Sequence, residues 1–165
     1  MICLITGGVK SGKSRYAVEM AKKYNCKRYF IATAEAFDDE MKEKIMRHKE
    51  EREGLFETIE EPVFLPNALT KVENNAVCVV DCLTVWTFNL LHYNKTEEID
   101  NFLEILKKIN FDLYIVTNEV GMGIVPADSL SRHYRDMLGS INQKVAKMAD
   151  RVVLMVSGIP VQIKS

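Results

Sequence analysis

Apolar runs and amphipathic stretches alternate along the whole chain. Compact apolar blocks at Ile2–Ile5, Arg28–Ala32, Ala76–Val80, Leu113–Thr117 and Arg151–Val156 read as buried strands, and a further extended piece falls at Val161–Lys164. Apolar positions at helical spacing predict helices over Lys13–Tyr24, Asp39–Arg52, Leu83–His92, Glu97–Ile109 and Ser129–Ala149. In the second of these, Asp38 is the N-cap and Met41, Ile45 and His48 share a face. Pro62 and Pro66 bracket a connector before a weaker helix around Ala68–Val72. Strands alternating with helices of this length predict α/β layering around a mainly parallel sheet.

There is no internal repeat, low-complexity tract or interdomain linker, so residues 1–165 read as a single domain. A chain of this length buries a substantial core, about 70% of its unfolded surface. Apolar residues at 47% and charged residues at 27% are ordinary for a soluble globular protein. A net charge of −1 gives no basic footprint for nucleic acid. Cys3, Cys26, Cys78 and Cys82 form no C-x-x-C pair, which argues against zinc or a disulfide framework and for reduced thiols. With no secretory leader and no long apolar span, the expected location is the cytoplasm.

The candidate chemistry starts at the first strand. Gly7-Gly8-Val9-Lys10-Ser11-Gly12-Lys13-Ser14 fits the phosphate-cradle pattern G-x-x-x-x-G-K-[ST], with a strand before it and a helix after it. Glycines let the backbone curl so that successive N–H groups point at phosphate oxygens. Lys13 adds positive charge at the β- and γ-phosphates, and the Ser14 hydroxyl is placed to help hold Mg²⁺. A positive helix end then faces the same phosphates.

Other polar residues fall at strand ends. Gly7, Thr33, Asp81 and Asn118-Glu119 each end or follow a predicted strand, and ligands of open parallel sheets bind at that rim. Asp81 matches the second metal-organising position of phosphate-loop enzymes, against a plain helix N-cap. Glu119 is a metal ligand, a hydroxyl-orienting group or base, or a solvated turn acid. Arg132 and Arg135 either hold a phosphate or pair with Asp128 and Asp136. His92 and His133 have no metal-ligand spacing, and Trp86, Phe88 and Leu90-Leu91 read as packing residues or the lining of an apolar pocket. His48 sits about 20° from Met41 around its helix, which by spacing alone suits a packed imidazole. With Arg47, Lys49 and Arg52 nearby, the same residue also suits a neutral nucleophile aimed at phosphorus.

The joint set of motifs resembles the bifunctional adenosylcobinamide kinase/adenosylcobinamide-phosphate guanylyltransferase family of cobalamin biosynthesis. The resemblance runs nearly end to end. It rests on Thr6 to Arg15, Tyr29 to Ala34, Asp38 to Met41, Arg47-His48-Lys49 and Asp81 to Thr84. It continues through Thr117 to Pro126, Arg135-Asp136, Asn142-Gln143 and Ser157 to Pro160. It implies a phosphate-loop three-layer fold, Mg²⁺, and GTP and ATP as nucleotide substrates. It implies adenosylcobinamide and its phosphate as acceptors, and a homotrimer. In that family a histidine accepts GMP as a covalent intermediate, and the matching residue is His48. Nucleotide contacts would fall on Gly7 to Ser14, Ala32 to Ala34, Lys49, Glu50, Glu51, Arg52, Glu60 and Asp81. The stretch after His48 departs from the family, which carries a Gly and a Pro where this chain has Lys49 to Glu53.

The implied chemistry has two stages: phosphorylation of the acceptor hydroxyl, with Lys13 and Asp81 as catalytic residues, then GMP transfer through His48. Two other readings stay open from sequence. One is a phosphate-loop small-molecule kinase without nucleotidyl transfer; the other is a nucleotide-gated regulatory module.

Overall fold

The computed structural model describes residues 1–36, 43, 46 and 54–165. Its elements run β1 (Ile2–Gly7), α1 (Lys13–Ala21), β2 (Arg28–Ala32), β3 (Glu57–Glu60) and α2 (Leu65–Leu69), then β4 (Val77–Asp81), α3 (Leu83–His92) and α4 (Glu98–Leu106). β5 (Asp112–Val116), α5 (Ser129–Met148), β6 (Arg151–Val156) and β7 (Ile159–Lys164) complete the chain. The helix expected over Asp39–Arg52 lies outside the described residues except for Glu43 and Met46, which are helical and exposed.

The strands form one seven-stranded sheet in the order β3-β2-β4-β5-β1-β6-β7. Every neighbouring pair is parallel except β6 with β7. Side chains alternate between the two faces, as the strand period requires. Ile2, Leu4, Leu113 and Ile115 face a core completed by Trp86, Leu90, Phe102, Leu138 and Ile141 of the helices. Cys3, Ile5, Tyr114 and Val116 face the other side, against Ala17 and Ala21 of α1. Strands buried on both faces explain why β1, β4 and β5 read as continuous apolar runs. The three-layer α/β architecture expected from the pattern is the one observed.

Trp86 belongs to packing and not to a pocket. Its ring is fully buried against Phe102, and its indole N–H donates to the Val63 carbonyl at 2.7 Å. Phe88 lies half-exposed on the opposite side of α3, stacked near His92.

Topology positions the site through parallel strands that end together. The register pairs Ala32 with Asp81, Asp81 with Val116, and Gly7 with Met155. β5 lies between β1 and β4, so its last residues separate the end of β1 from Asp81.

Candidate nucleotide site

The segment from Gly7 to Ser14 forms the turn between β1 and α1, and its geometry depends on glycine at both ends. Gly7 has φ +147 and Gly12 φ +91, in the region that side chains disfavour. A Cβ on Gly7 would lie 2.5 Å from the Met155 carbonyl oxygen and 2.9 Å from Ser11 Oγ. The loop's carbonyls are tied outward. Gly7 O accepts from Glu119 N at 3.1 Å, Ser11 O from Gly158 N at 3.1 Å, and Gly12 O from Tyr16 N at 2.9 Å. A loop held by its carbonyls leaves its amides facing inward, the arrangement that receives an anion.

Within this turn opens a hollow of about 550 Å³. It is lined by Val9 to Arg15, by Asp81 and Cys82 at the end of β4, by Val116 and Asn118 after β5, and by Ser157 and Gly158 after β6. That volume is of the order that encloses one drug-sized ligand. Lys13 is only 7% exposed, and its Nζ donates to the Gly8 carbonyl. Burial lowers its pKa below the usual lysine value, and the Asp81 carboxylate partly opposes that shift. Cys82 beside it is pushed up to about 11 by burial and by Asp81, so the thiol stays neutral.

Asp81 is positioned by a clamp. Thr33 donates from Oγ1 to the Cys82 carbonyl and accepts there from Cys82 N–H, each at 2.8 Å. Thr33 N–H donates to Asp81 O at 3.1 Å. Asn89 of α3 then holds the Thr33 carbonyl at 2.8 Å and the Pro62 carbonyl at 2.9 Å through its amide nitrogen. Thr33 and Asn89 are both fully buried. Sequence reasoning placed Thr33 at the rim as a nucleotide contact and did not single out Asn89. The signal for Asn89 was a polar residue inside the apolar stretch Trp86 to Leu91.

The remaining expected residues divide. Val9 to Ser14 and Asp81 come together around one hollow, and Gly7 and Gly8 belong to the turn leading into it without lining it. Ala32 ends β2 and Thr33 and Ala34 follow it, one strand beyond Asp81, and none of the three lines the hollow. Glu60 ends β3, at the sheet's outer edge beyond β2, and is likewise away from the lining. His48, with Arg47, Lys49, Glu50, Glu51 and Arg52, lies outside the described residues. Glu119 Oε1 accepts from Gly121 N–H at 2.6 Å, so that carboxylate shapes its own turn. Arg132 donates to the Pro126 and Ala127 carbonyls, and Arg135 pairs with Asp136. Asp128 caps α5 by accepting from Ser131 N–H at 2.7 Å. These contacts make the two arginines structural.

The loop geometry predicts the effect of Gly7→Ala. The added methyl meets backbone, which cannot swing away, and a strained backbone residue costs about 1–3 kcal/mol. Calorimetric titration of the variant with ATP should show affinity reduced tenfold or more in a chain that still folds by circular dichroism, about 1.4 kcal/mol. Unchanged affinity would mean that the loop does not hold the phosphates.

Comparison with known proteins agrees with this geometry. Among solved structures, the chain is similar to the RadB recombinase, with a TM-score of 0.53 and 15% identity over 93% of this chain and 73% of that one. It is also similar to the flagellar accessory protein FlaH of Methanocaldococcus jannaschii, with a TM-score of 0.54 and 12% identity over 99% and 77% of the two chains. At that identity the likeness speaks for the phosphate-loop NTPase fold alone. Sequence relatives are nearer. The bifunctional adenosylcobalamin biosynthesis protein CobP of Pseudomonas aeruginosa is 38% identical, covering 98% of this chain and 96% of the relative. CobU of Escherichia coli strain K12, described in the same words, is 36% identical, covering 99% and 100%. Residues 3–163 match the family model described as cobinamide kinase / cobinamide phosphate guanyltransferase. With that match and those relatives spanning nearly its whole length, the chain belongs to the cobinamide kinase / cobinamide phosphate guanyltransferase family.

Proposed function

We propose that this chain carries out both family reactions in the single domain 1–165, around the hollow at the end of β1. The observation that carries the reading is the convergence of Lys13, Ser14 and Asp81 on one nucleotide-sized cavity.

In the first reaction, the hydroxyl of adenosylcobinamide's aminopropanol arm attacks the γ-phosphorus of ATP or GTP. An O–P bond forms, the bond from the γ-phosphorus to the bridging oxygen breaks, and the nucleoside diphosphate leaves. Transfer of this kind depends mainly on positioning and on neutralising charge. The amides between Gly7 and Ser14 orient the phosphates, and Lys13 neutralises charge developing on the bridging oxygen. Asp81, which lines the hollow, takes the hydroxyl proton. One hydroxyl at Ser14 and one carboxylate at Asp81 are hard oxygen donors that suit Mg²⁺ held jointly with substrate phosphates. The ion would supply further neutralisation of phosphate charge.

In the second reaction, a neutral imidazole nitrogen of His48 attacks the α-phosphorus of GTP. An N–P bond forms and pyrophosphate leaves. The phosphate of adenosylcobinamide phosphate then displaces His48, giving adenosylcobinamide-GDP. Lys49, Glu50, Glu51 and Arg52, with Glu60 and Ala32 to Ala34, hold the rest of this nucleotide. The reactions take place in the cytoplasm, consistent with four unpaired cysteines and with no described helix long and apolar enough to cross a membrane.

The active form is a homotrimer. Support comes from the edge strand β7, whose Ile159, Val161 and Ile163 are exposed on one face of an open sheet edge. Light scattering should give a trimer mass, and a monomer would contradict it.

Intact-mass spectrometry tests the central claim. Incubation with GTP and Mg²⁺ should add one GMP to the protein, and His48→Ala should abolish the adduct while ATP-dependent phosphorylation of the acceptor persists. A GMP adduct that survives in that variant excludes His48.

Lys13 gives a pH test. Burial lowers its pKa in the empty site, and bound phosphate anions raise it again. Between the two values binding takes up a proton, so ATP affinity falls as pH rises. Lys13→Arg, whose guanidinium does not titrate, should flatten that slope in calorimetry across alkaline pH. A parallel slope in both proteins would assign the proton to another group.

A further inference from the structure

The loop after β5 presents side chains that phosphate chemistry does not require. Met122 is 83% exposed, Ile124 97% and Val125 64%, and Leu130 at the start of α5 is 68% exposed. Scattered exposed apolar residues are normal, but a local group of them marks a binding face. This group is also held in place. Glu119 N–H donates to Gly7 O at 3.1 Å, and Gly121 N–H donates to Glu119 Oε1 at 2.6 Å. At the far end Arg132 donates to Pro126 O at 3.0 Å and to Ala127 O at 2.6 Å. Val120 at the loop's root packs against the core. A polar frame thus fixes a backbone whose apolar side chains point outward, and a face ordered in advance loses little entropy on binding.

The location of the loop selects its occupant. It leaves the rim at Asn118, which lines the hollow, and its strand lies between those carrying Asp81 and the phosphate loop. A nucleoside triphosphate fills a hollow of about 550 Å³. The acceptor named by the family, cobinamide, is a broad macrocycle with methyl-bearing faces, an amide-bearing rim and a hydroxyl at the end of an arm. Its hydroxyl must come within roughly 3–3.5 Å of the phosphorus while its ring stays outside. We propose that Met122, Ile124, Val125 and Leu130 form the platform on which the apolar face of that macrocycle rests, its arm reaching over Asn118 toward Lys13 and Asp81. The proposal rests on the cobinamide reading above and adds the subsite that selects the acceptor.

The test is equilibrium dialysis of cobinamide, followed by its visible absorption, against the wild-type protein and the Met122→Ser/Ile124→Ser variant. Both are loaded with a non-hydrolysable ATP analogue, and kinase assays and light scattering run alongside. Removing two apolar contacts should weaken cobinamide binding about tenfold for each, and raise its KM in parallel, while the KM for ATP stays the same. An N-acylated aminopropanol without the macrocycle should be phosphorylated equally well by both proteins. Equal cobinamide binding by both proteins overturns the platform, as does weakening accompanied by a changed subunit count, which would make the face a contact between copies. Wild-type protein that binds cobinamide through these residues but never phosphorylates it would overturn the kinase reading and leave the platform standing.

Discussion

The site depends on the phosphate loop's carbonyls being taken up by its neighbours. Gly7 O is held from the end of β5 and Ser11 O from the turn after β6, by the amides of Glu119 and Gly158. Both donors lie on segments that flank β1 on either side. The loop is therefore suspended between two strand ends, in addition to the bonds it makes within its own turn through Lys13. Parallel strands ending at one rim make this possible, because an antiparallel neighbour would bring its opposite end to Gly7. The only antiparallel pair among the described strands, β6 with β7, lies at the sheet edge, where it leaves the rim intact.

A second consequence concerns charge. Burial disfavours the ammonium form of Lys13, and the nearby Asp81 carboxylate only partly offsets that. Bound phosphates restore what burial removes. The unfavourable burial of the cation is thus tolerated for ligand binding, as is the left-handed backbone of Gly12. Asp81 shows the same division between stability and function. Its own backbone and that of Cys82 are clamped by Thr33, which in turn is held by Asn89. Residues that never reach the hollow therefore determine where its carboxylate stands.

Much of this was legible from periodicity, and the exceptions have physical reasons. Strands β1, β2, β4, β5 and β6 are apolar on both faces and announce themselves. β3, Glu57-Thr58-Ile59-Glu60, does not, because its outer position leaves Glu57 and Glu60 exposed and the other two only half-buried. β7 begins at Ile159, earlier than expected, because Pro160 is a breaker only where its missing N–H is needed, and an edge strand tolerates it. α2 starts at Leu65, not near Ala68, since Pro66 fits the first turn of a helix. In the site, the rim positions were readable from strand ends. The Thr33–Asn89 clamp was not, since its contacts join residues 56 apart and only the fold makes them neighbours.

The two proposed reactions place opposed demands on this architecture. Transfer of the γ-phosphoryl group needs that phosphorus beside the acceptor hydroxyl, whereas GMP transfer needs the α-phosphorus beside an imidazole. One rigid cradle cannot present both atoms to the same point. The observed scaffold meets the first demand with fixed parts: a suspended loop, a buried lysine and a clamped aspartate. The proposed second transfer therefore needs another pose of the nucleotide in the same hollow. The parts that serve the first demand stand at the start of α1, at Lys13, and at the end of β4, at Asp81, so the change of pose between the two proposed transfers falls on the nucleotide.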